Sequence, residues 1–348
     1  MHPSSAEEGF AQTLIRWQAS YGRHDLPWQA SLDPYRIWLS EVMLQQTQVV
    51  TVREYFNRFL QRFPDVVALA QATLDDVLGL WSGLGYYSRA RHMHLCAQRV
   101  VALHGGVFPG RAAQLATLPG IGPSTAAAIA SICFGERVAI LDGNVKRVLT
   151  RYLGFGGDLA SSANLRHLLR EATRLLPEQD LESSMPRYTQ AIMDLGATVC
   201  TAKNPACTDC PLHGLCRAQT LANPEAFPVK TRKLKRTAQT LWLLWVVSED
   251  GAVWLSQRPT PGVWAGLYCL PLLDDRDTLQ AAVPAVHQGQ LHDQDVVKHV
   301  LTHKDLYLHP VRVVLPRNLP PEVPGAWVEA EQWSKLGLPA PIRKLLAA

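Results

Sequence analysis

Four cysteines near the middle of the chain are spaced closely enough to hold one metal centre. They follow the pattern C-x6-C-x2-C-x5-C and are Cys200, Cys207, Cys210 and Cys216. Thiolates at such spacing ligate iron–sulfur clusters or zinc. Structural zinc sites more often use two C-x2-C pairs, whereas this segment has only one. The spacing therefore favours an iron–sulfur cluster and leaves zinc as the alternative.

Two carboxylic acids lie in sequence surroundings that suit an acid and an anion. Glu41 lies in an otherwise apolar helical stretch, where burial would keep its carboxyl protonated. Asp142 precedes Gly143 and fits the N-cap of a helix, yet one oxygen can cap while the other faces a developing cation. A neutral and an ionised carboxyl together suit cleavage of a glycosidic bond through an oxocarbenium-like state. Taken alone, Glu41 also fits the surface of an amphipathic helix.

A glycine-rich turn lies between two predicted helices. Gly120 and Gly122 are one residue apart and are followed by Pro123. Without side chains, such a turn brings backbone N–H groups close to a phosphate at the N-terminus of the next helix. The pattern is typical of a helix–hairpin–helix motif, which grips the DNA backbone without reading sequence. A plain helical turn is the alternative.

The spacing of apolar residues predicts a helical N-terminal part and a C-terminal part that contains strands. The helices are predicted near residues 10–17, 37–49, 95–103, 125–132, 144–152, 165–176 and 188–195. The strands are predicted over 241–247, 253–255, 306–308 and 311–315, with short helices over 333–338 and 342–346. The first two strands are separated by Glu249, Asp250 and Gly251, which predicts a hairpin.

Length and composition indicate two domains. The chain has 348 residues, 47% of them hydrophobic, and a net charge of +4, which permits nucleic-acid binding without proving it. We predict domains over residues 1–216 and 238–348, joined by a linker over 217–237. Within that linker, the basic run Lys230–Arg236 is either a solvated tether or a DNA contact.

Two further expectations follow from the composition. The sequence has no long apolar run and its N-terminus has no apolar signal core, which predicts a cytosolic, nucleoid-associated protein without a membrane span. The three other cysteines, Cys96, Cys133 and Cys269, are predicted to be buried apolar residues.

Several motifs together resemble the endonuclease III superfamily of DNA glycosylases and, within it, the adenine DNA glycosylases of the MutY family. The motifs are Trp38–Thr47, Gly83–Tyr87, Leu118–Gly122, Leu141–Asn144 and the four-cysteine loop. The resemblance implies a mainly α helix–hairpin–helix glycosylase domain with an iron–sulfur loop, followed by an α+β Nudix-like domain. It also implies that the four cysteines hold a 4Fe–4S cluster.

The resemblance assigns roles to individual residues. Glu41 would protonate the adenine, with N7 the expected site, Asp142 would stabilise or trap the sugar cation, and Asn144 would orient a reacting group. The remaining positions are expected to form the wall of the adenine pocket (Leu26, Trp28 and Gln190) or to wedge into the base stack (Gln46 and Tyr86). A simple core role is the plainer interpretation of Leu26, Trp28 and Tyr86.

Ser124 indicates that the chemistry stops at base removal. Relatives that also nick the strand place a lysine two residues after the second hairpin glycine, and its amine forms a Schiff base. A serine hydroxyl cannot do so, which predicts a monofunctional enzyme that leaves an abasic site. Lys146 lies near Asp142 in sequence but is not predicted to be catalytic.

The stretch Gln257–Pro271 resembles the Nudix-like domain with which adenine glycosylases recognise 8-oxoguanine. A Nudix hydrolase needs a glutamate-rich metal motif that this sequence lacks, so binding without hydrolysis is expected. The family often has Phe-Ser-His near the lesion, where this chain has Leu301, Thr302 and His303; the hydroxyl is kept and an aromatic ring is lost. The implied partner is double-stranded DNA with an A:8-oxoguanine or A:G mispair, bound by a monomer.

Three alternatives were weighed against this interpretation. The first, an endonuclease III-type glycosylase and lyase acting on damaged pyrimidines, is disfavoured by Ser124 and by the second domain. The second, a non-catalytic iron–sulfur DNA-binding protein, would not need Glu41 and Asp142 together. The third, a nucleotide pyrophosphohydrolase centred on residues 238–348, is disfavoured by the missing metal motif.

Overall fold

The structure is a computed structural model that describes residues 9–229, 231 and 236–347. By its contacts the chain divides into two units. Unit 1 groups Met1–Val67 with Leu95–Lys233, and unit 2 groups Ala68–His94 with Leu234–Ala348. The predicted domain boundaries at residues 216 and 238 stay a prediction. In the described part of the chain, no helix is long and apolar enough to cross a membrane.

The helices are α1 (Phe10–Tyr21), α2 (Pro34–Leu44), α3 (Val49–Arg62), α4 (Val66–Gln71), α5 (Leu74–Trp81), α6 (Ser88–His104), α7 (Ala112–Leu115), α8 (Pro123–Phe134), α9 (Gly143–Leu153), α10 (Ser162–Arg174), α11 (Leu181–Thr198), α12 (Arg217–Thr220), α13 (Arg276–Ala281), α14 (Ala330–Trp333) and α15 (Ala340–Leu346). The strands are β1 (Thr237–Ser248), β2 (Val253–Gln257), β3 (Tyr268–Cys269), β4 (Leu272–Leu273), β5 (His292–Asp293), β6 (Val297–Val300), β7 (Lys304–Leu315) and β8 (Ala326–Val328).

Unit 1 is helical, as predicted, and its core is built around α11. This helix packs against α1, α8 and α9. Residues at helical spacing on α9, including Val145, Val148 and Leu149, are buried in that core together with Ile192 of α11. The amphipathic period in the sequence therefore places the N-terminal end of α9 at a fixed position on the core.

The glycine-rich turn connects α7 to α8 and confirms the predicted change of direction. Gly120 adopts φ +76°, a left-handed conformation that favours glycine, while Gly122 is the N-cap of α8 and Pro123 its first residue. The alanine-rich helix that follows is buried from Thr125 to Ile132. The N-terminus of α8 is consequently anchored through its apolar length.

Unit 2 is built on a mixed sheet with strand order β3-β2-β1-β7-β5; β4, β6 and β8 pair with β1, β7 and β2 respectively. The predicted hairpin between β1 and β2 is confirmed, with Val247 opposite Val253 and Gly251 at φ +92° in the turn. The strands β1 and β7 pair in parallel along their full length, from Thr237 opposite Lys304 onward.

One predicted break in a strand is wrong. Residues 306–308 and 311–315 were expected to be separate strands, but β7 runs continuously through Pro310. Proline lacks an N–H group, yet its carbonyl accepts a hydrogen bond from the Gln294 N–H at 2.9 Å. The strand can continue because Pro310 still contributes an acceptor to the neighbouring segment.

Candidate active site and iron–sulfur loop

Glu41 lies on α2, whose start is fixed by Asp33 and Pro34. The Asp33 carboxylate accepts a hydrogen bond from the Tyr35 N–H at 3.0 Å, and Pro34 is the first helical residue. Glu41 is half-buried as a residue, and burial of its carboxyl, with a smaller contribution from the charge of Asp142, raises its pKa from 4.5 to about 7. A substantial fraction of Glu41 is therefore protonated at neutral pH.

Asp142 is the N-cap of α9, so the structural role considered for it is confirmed. Its Oδ1 accepts a hydrogen bond from the Val145 N–H at 2.6 Å. Burial raises the pKa of Asp142, while hydrogen bonds from the backbone and the charges of Arg147 and Lys146 act in the opposite direction. The Asp142 charge in turn contributes to the raised pKa of Glu41. The two carboxyl groups therefore interact electrostatically, as their predicted pairing requires.

Asn144 is held by a network that extends to the cysteine loop. Arg147 donates from Nη2 to Asn144 Oδ1 at 2.8 Å and to the Gly196 carbonyl at 2.6 Å. It also donates from Nε to the Cys200 carbonyl at 2.7 Å. A Cβ atom at Gly196 would lie 2.8 Å from Asn144 Cβ, so only glycine permits this approach of α11 to α9. The Asn144 amide is consequently fixed in orientation.

Arg151, one turn further along α9, organises the segment that contains the four cysteines. Its side chain is only 2% exposed. It donates to the Cys200 Sγ at 3.3 Å and to the Thr201 carbonyl at 2.7 Å. Further hydrogen bonds reach the carbonyls of Ala202 at 3.2 Å and Pro224 at 2.8 Å. A single buried guanidinium thus donates to a cysteine sulfur and to several carbonyls of this segment.

The four predicted cluster ligands line one recess, together with Arg151. Burial raises the pKa of the Cys210 thiol to about 12 and the pKa values of Cys207 and Cys216 in the same direction, so their thiolates need a positively charged partner. No group of three or more His, Cys, Asp or Glu side chains in the described ranges is arranged to hold a single metal ion.

Four cysteines around one recess match the ligand set of a 4Fe–4S cluster, whose cube takes one thiolate at each corner. A structural zinc ion takes the same four ligands at about 2.3 Å from one point. When bound, a 4Fe–4S cluster joins the cysteines of this loop into one rigid unit.

The segment that carries Leu26 and Trp28 is fastened by a buried carboxylate that the sequence analysis missed. Asp194 of α11 is completely buried and accepts hydrogen bonds from Arg23, from the backbone N–H at 3.1 Å and from Nε at 2.8 Å. It also accepts one from Gln190 Nε2 at 2.9 Å. The available signal was an acid inside an apolar helical run. Asp194 thus links Gln190 to the segment that carries Leu26 and Trp28.

The same segment is held from its other side by α3. Arg53 donates to the Asp25 carbonyl at 2.7 Å and forms an ion pair with the Asp25 carboxylate. Trp28 is buried and meets Phe56 edge-on, with ring centroids 5.5 Å apart. Burial agrees with the core interpretation of Leu26 and Trp28, and their contact with a base stays a prediction.

The two predicted wedge residues share an unusual backbone conformation. Gln46 has φ +59° and Tyr86 has φ +48°, in the left-handed region that side chains other than glycine rarely adopt. Gln46 is exposed, and Tyr86 is 44% exposed, which is not the exposure of a core residue. Such strain is typical of functional turns, and no feature of the sequence signalled it.

Unit 2 contains a recess of its own. It is lined by residues that include Tyr86, Arg91, Trp264, His299, Thr302 and His303. The hydroxyls of Tyr86 and Thr302 share a hydrogen bond.

Thr302 and His303 lie in the turn between β6 and β7. Arg236 donates to the Thr302 carbonyl at 2.8 Å and forms an ion pair with Asp305. The end of the predicted basic run therefore binds this turn. The rest of that run, apart from Thr231, lies outside the described residues.

The predicted site residues are thus distributed over both units. Unit 1 holds Leu26, Trp28, Glu41, Gln46, Gly120, Gly122, Ser124, Asp142, Asn144, Gln190 and the four cysteines; unit 2 holds Tyr86, Thr302 and His303. Ser124 lies in the first turn of α8 and is partly exposed.

Three known families match different parts of the chain. Residues 39–174 match the HhH-GPD superfamily of base excision DNA repair proteins. Residues 200–216 match the iron–sulfur binding domain of endonuclease III, and residues 242–348 match the NUDIX domain. The predicted fold class, a helix–hairpin–helix domain with an iron–sulfur loop followed by a Nudix-like domain, is confirmed.

Whole-chain relatives give a sharper result. The adenine DNA glycosylase of Buchnera aphidicola subsp. Baizongia pistaciae is 34% identical over 97% of this chain and 95% of its own length. The adenine DNA glycosylase of Mus musculus is 34% identical over 97% of this chain and 77% of its own length. The chain belongs to the adenine DNA glycosylase family. Its cofactor is a 4Fe–4S cluster, which confirms that prediction and excludes zinc.

Solved structures share the fold over part of the chain. A thermostable thymine-DNA glycosylase is 26% identical, with a TM-score of 0.55, and covers 61% of this chain and 95% of its own. An endonuclease III–DNA complex is 21% identical, with a TM-score of 0.50 over 61% of this chain and 94% of its own, and supports the fold. Membership of the adenine DNA glycosylase family decides against the three alternatives weighed above.

The raised pKa of Glu41 has a consequence for stability. The folded protein keeps this proton up to about pH 7, whereas the unfolded chain releases it near 4.5, so stability falls as the pH rises across that interval. Glu41→Gln should lack this fall, and its Tm should exceed that of the wild type by more at about pH 8 than at about pH 5. Glu54→Gln, an exposed residue of α3, is the matched control. An equal Tm difference at both pH values would contradict this expectation.

The hydrogen bonds of Arg151 predict a role in cluster retention. Arg151→Met removes the charged donor to the Cys200 Sγ and to the carbonyls of Thr201 and Ala202, at about 1.5–3 kcal/mol for each hydrogen bond lost. We expect purified variant to contain less iron per chain and to show weaker visible absorbance. Arg170→Met, on the exposed face of α10, should keep both. Equal iron content in the two variants would refute this role.

Proposed function

We propose that this chain is a monofunctional, monomeric glycosylase that excises adenine paired with 8-oxoguanine or with guanine in double-stranded DNA. The observation that carries the proposal is the pairing of Glu41 with Asp142. Glu41 has a pKa of about 7, and Asp142 interacts with it from the N-terminus of α9. A proton donor that interacts with a carboxylate is what cleavage of an N-glycosidic bond requires.

The chemistry follows from the states of the two carboxyls. Glu41 donates its proton to N7 of the adenine as the bond between C1′ and N9 breaks, and the bonding electrons leave with the base. Asp142 stabilises the positive charge that develops on the sugar, or traps it at C1′. Water then adds at C1′, displacing the Asp142 carboxylate where it is bound there, and its released proton returns to Glu41, which leaves an abasic site. Asn144, fixed by Arg147, orients a reacting group beside Asp142.

Recognition of the base is proposed for the segment held by Asp194. Leu26 and Trp28 supply the apolar wall, and Gln190 the opposite polar side. The hydrogen bonds from Arg23 and Gln190 to one buried carboxylate support this assignment, because they fix both sides relative to each other. Preorganised walls reduce the entropy lost when an extruded base binds.

DNA binding is proposed for the glycine-rich turn before α8 and for the two turns with left-handed backbone. Gly120 and Gly122 present backbone N–H groups at the N-terminus of α8 to a DNA phosphate. Gln46 and Tyr86 wedge into the base stack, and the left-handed backbone of both residues supports this role. The cost of unstacking is a few kcal/mol per step, which such wedges offset.

Recognition of the opposite base is proposed for the recess of unit 2. Thr302 and His303 line it with Tyr86, and the shared hydrogen bond of Thr302 with Tyr86 fixes a polar group at its wall. Leu301 replaces the aromatic residue often found in the family, so shape and hydrogen bonding would carry recognition there. Ser124 in place of a lysine supports a reaction without strand cleavage.

A single-turnover assay tests the proposal. Wild-type protein should release adenine from A:8-oxoguanine and A:G duplexes, leave thymine glycol untouched and leave the strand intact until alkali is added. Glu41→Gln should slow release by at least about a hundredfold, because general acid catalysis contributes that much, while DNA binding persists. Glu54→Gln serves as control. Efficient nicking at neutral pH, or full turnover by Glu41→Gln, would overturn the proposal.

Asp194 provides a second test of the adenine pocket. Asp194→Asn removes the charge that holds Arg23 and weakens the bond to Gln190, so the pocket walls should shift. Misplacement by about 1 Å can cost as much as a hundredfold in rate, and we expect adenine release to slow by at least about tenfold. Iron content should stay at the wild-type level. Asp274→Asn, at an exposed position, is the control. Equal rates of adenine release in both variants would refute the proposed role of Asp194 in positioning the adenine pocket.

A further inference from the structure

Within unit 2, the segment Ala68–His94 donates two hydrogen bonds to the carbonyl of Leu338. Tyr87 Oη donates to the Leu338 carbonyl at 2.8 Å, and Ser82 Oγ donates to the same oxygen at 3.3 Å. Arg343 of α15 donates from Nε to Ser82 Oγ at 3.1 Å. We call Ser82, Tyr87, Leu338 and Arg343 the Leu338 clasp.

Arg343 also holds the loop that precedes Leu338. Its Nη1 donates to the Ser334 carbonyl at 2.9 Å, and its Nη2 to the Leu336 carbonyl at 2.7 Å. The carbonyls of the turn between α14 and α15 are therefore held by the same side chain that reaches Ser82. The clasp joins two loops that each have a defined shape.

Two glycines show that the backbones fit without intervening side chains. A Cβ atom at Gly79 would lie 2.1 Å from the Lys335 carbonyl oxygen. A Cβ atom at Gly337 would lie 2.7 Å from Leu78 Cβ. Both distances are shorter than any real contact, so the approach of α5 to the 335–338 loop depends on glycine at both positions. This close fit is an observation independent of the hydrogen bonds.

The clasp fixes a loop that carries Tyr86. Arg89 is buried, donates to the carbonyls of Leu84 and Gly85 at 3.1 Å each, and lies over the Tyr86 ring, with its guanidinium carbon 5.5 Å from the ring centroid. Tyr86 itself keeps φ +48° and shares a hydrogen bond with Thr302. A strained conformation persists only where its surroundings hold it.

We propose that Tyr87, Ser82 and Arg343 are positioning residues that hold Tyr86 against Thr302 and thereby set the preference for adenine opposite 8-oxoguanine over adenine opposite guanine. This inference rests on the proposed lesion recognition by the recess of unit 2. A loop released from the Leu338 carbonyl has to be ordered again on binding, so contacts with the lesion weaken. Contacts made by unit 1 with the adenine are unchanged.

The test is Tyr87→Phe, which removes one hydroxyl and keeps the ring. The Kd is measured for duplexes with a non-hydrolysable adenosine analogue opposite 8-oxoguanine and opposite guanine. We expect the Kd for the 8-oxoguanine duplex to rise about threefold to tenfold, the size of one hydrogen bond, while the Kd for the guanine duplex stays the same. The ratio of the guanine Kd to the 8-oxoguanine Kd therefore falls by the same factor. Tyr268→Phe is the matched control, because Tyr268 joins the same two segments through Asp75 at 3.3 Å; its ratio should equal that of the wild type.

A double-mutant cycle separates positioning from general loosening. If Tyr87 acts through the contact between Tyr86 and Thr302, then Tyr87→Phe should have no further effect on the ratio once Thr302→Ala is present. Effects that add, or a loss of affinity shared equally by both duplexes, would overturn the inference.

Separate measurements distinguish a folding defect, a failure of the proposed lesion recognition and a failure of the positioning role. Iron content and Tm report folding, and Ser82→Ala carries the same test if Tyr87→Phe does not fold. A wild-type protein without any preference for 8-oxoguanine would overturn the proposed lesion recognition, and the inference with it. A wild-type preference that survives in both Tyr87→Phe and Ser82→Ala would overturn the inference alone.

Discussion

The partial burial of two interacting carboxyl groups, Glu41 and Asp142, is the constraint on which the active site depends. Asp142 is fixed by its role as the N-cap of α9, where burial raises its pKa while hydrogen bonds from the backbone and the charges of Arg147 and Lys146 oppose that rise. Burial of the Glu41 carboxyl, with a smaller contribution from the Asp142 charge, favours the neutral form of Glu41. In the proposed mechanism, the same geometry prepares Glu41 to give a proton and Asp142 to face a cation. Helices α2 and α9 can supply this pair only because the core of unit 1 fixes both.

Buried ionic groups extend this constraint to the rest of unit 1. Arg147 joins Asn144 to the Cys200 carbonyl, and Arg151 holds the backbone around the cluster ligands. Asp194 and Arg23 do the same for the proposed pocket wall. Each group satisfies several backbone or side-chain partners that would be costly to leave unpaired in the interior. Loops with little regular structure thus acquire fixed positions.

Local patterns in the sequence were sufficient for part of this structure. Helices α1 and α9 follow from apolar period, the cap at Asp142 from residue type, and the hairpin from Gly251. The helix predicted over 37–49 is wrong in its extent, because α2 ends at Leu44 and a new helix, α3, begins at Val49. Long-range pairings were not accessible in the same way. The parallel pairing of β1 with β7 joins residues far apart in sequence. Pro310 led to the prediction of two strands where β7 is continuous.

The partners of individual side chains and the strained backbone conformations were also not predictable from the sequence alone. The partner of Asp194 lies in a segment 171 residues away, and no pattern signals the left-handed backbone of Tyr86. The pKa of Glu41 is the most direct measurement of the central claim, obtained by NMR of carboxyl-labelled glutamate with Glu41→Gln to assign the signal. A value near 7 that falls in Asp142→Asn is expected; a value near 4.5 in both proteins would contradict the pairing of a neutral acid with an anion.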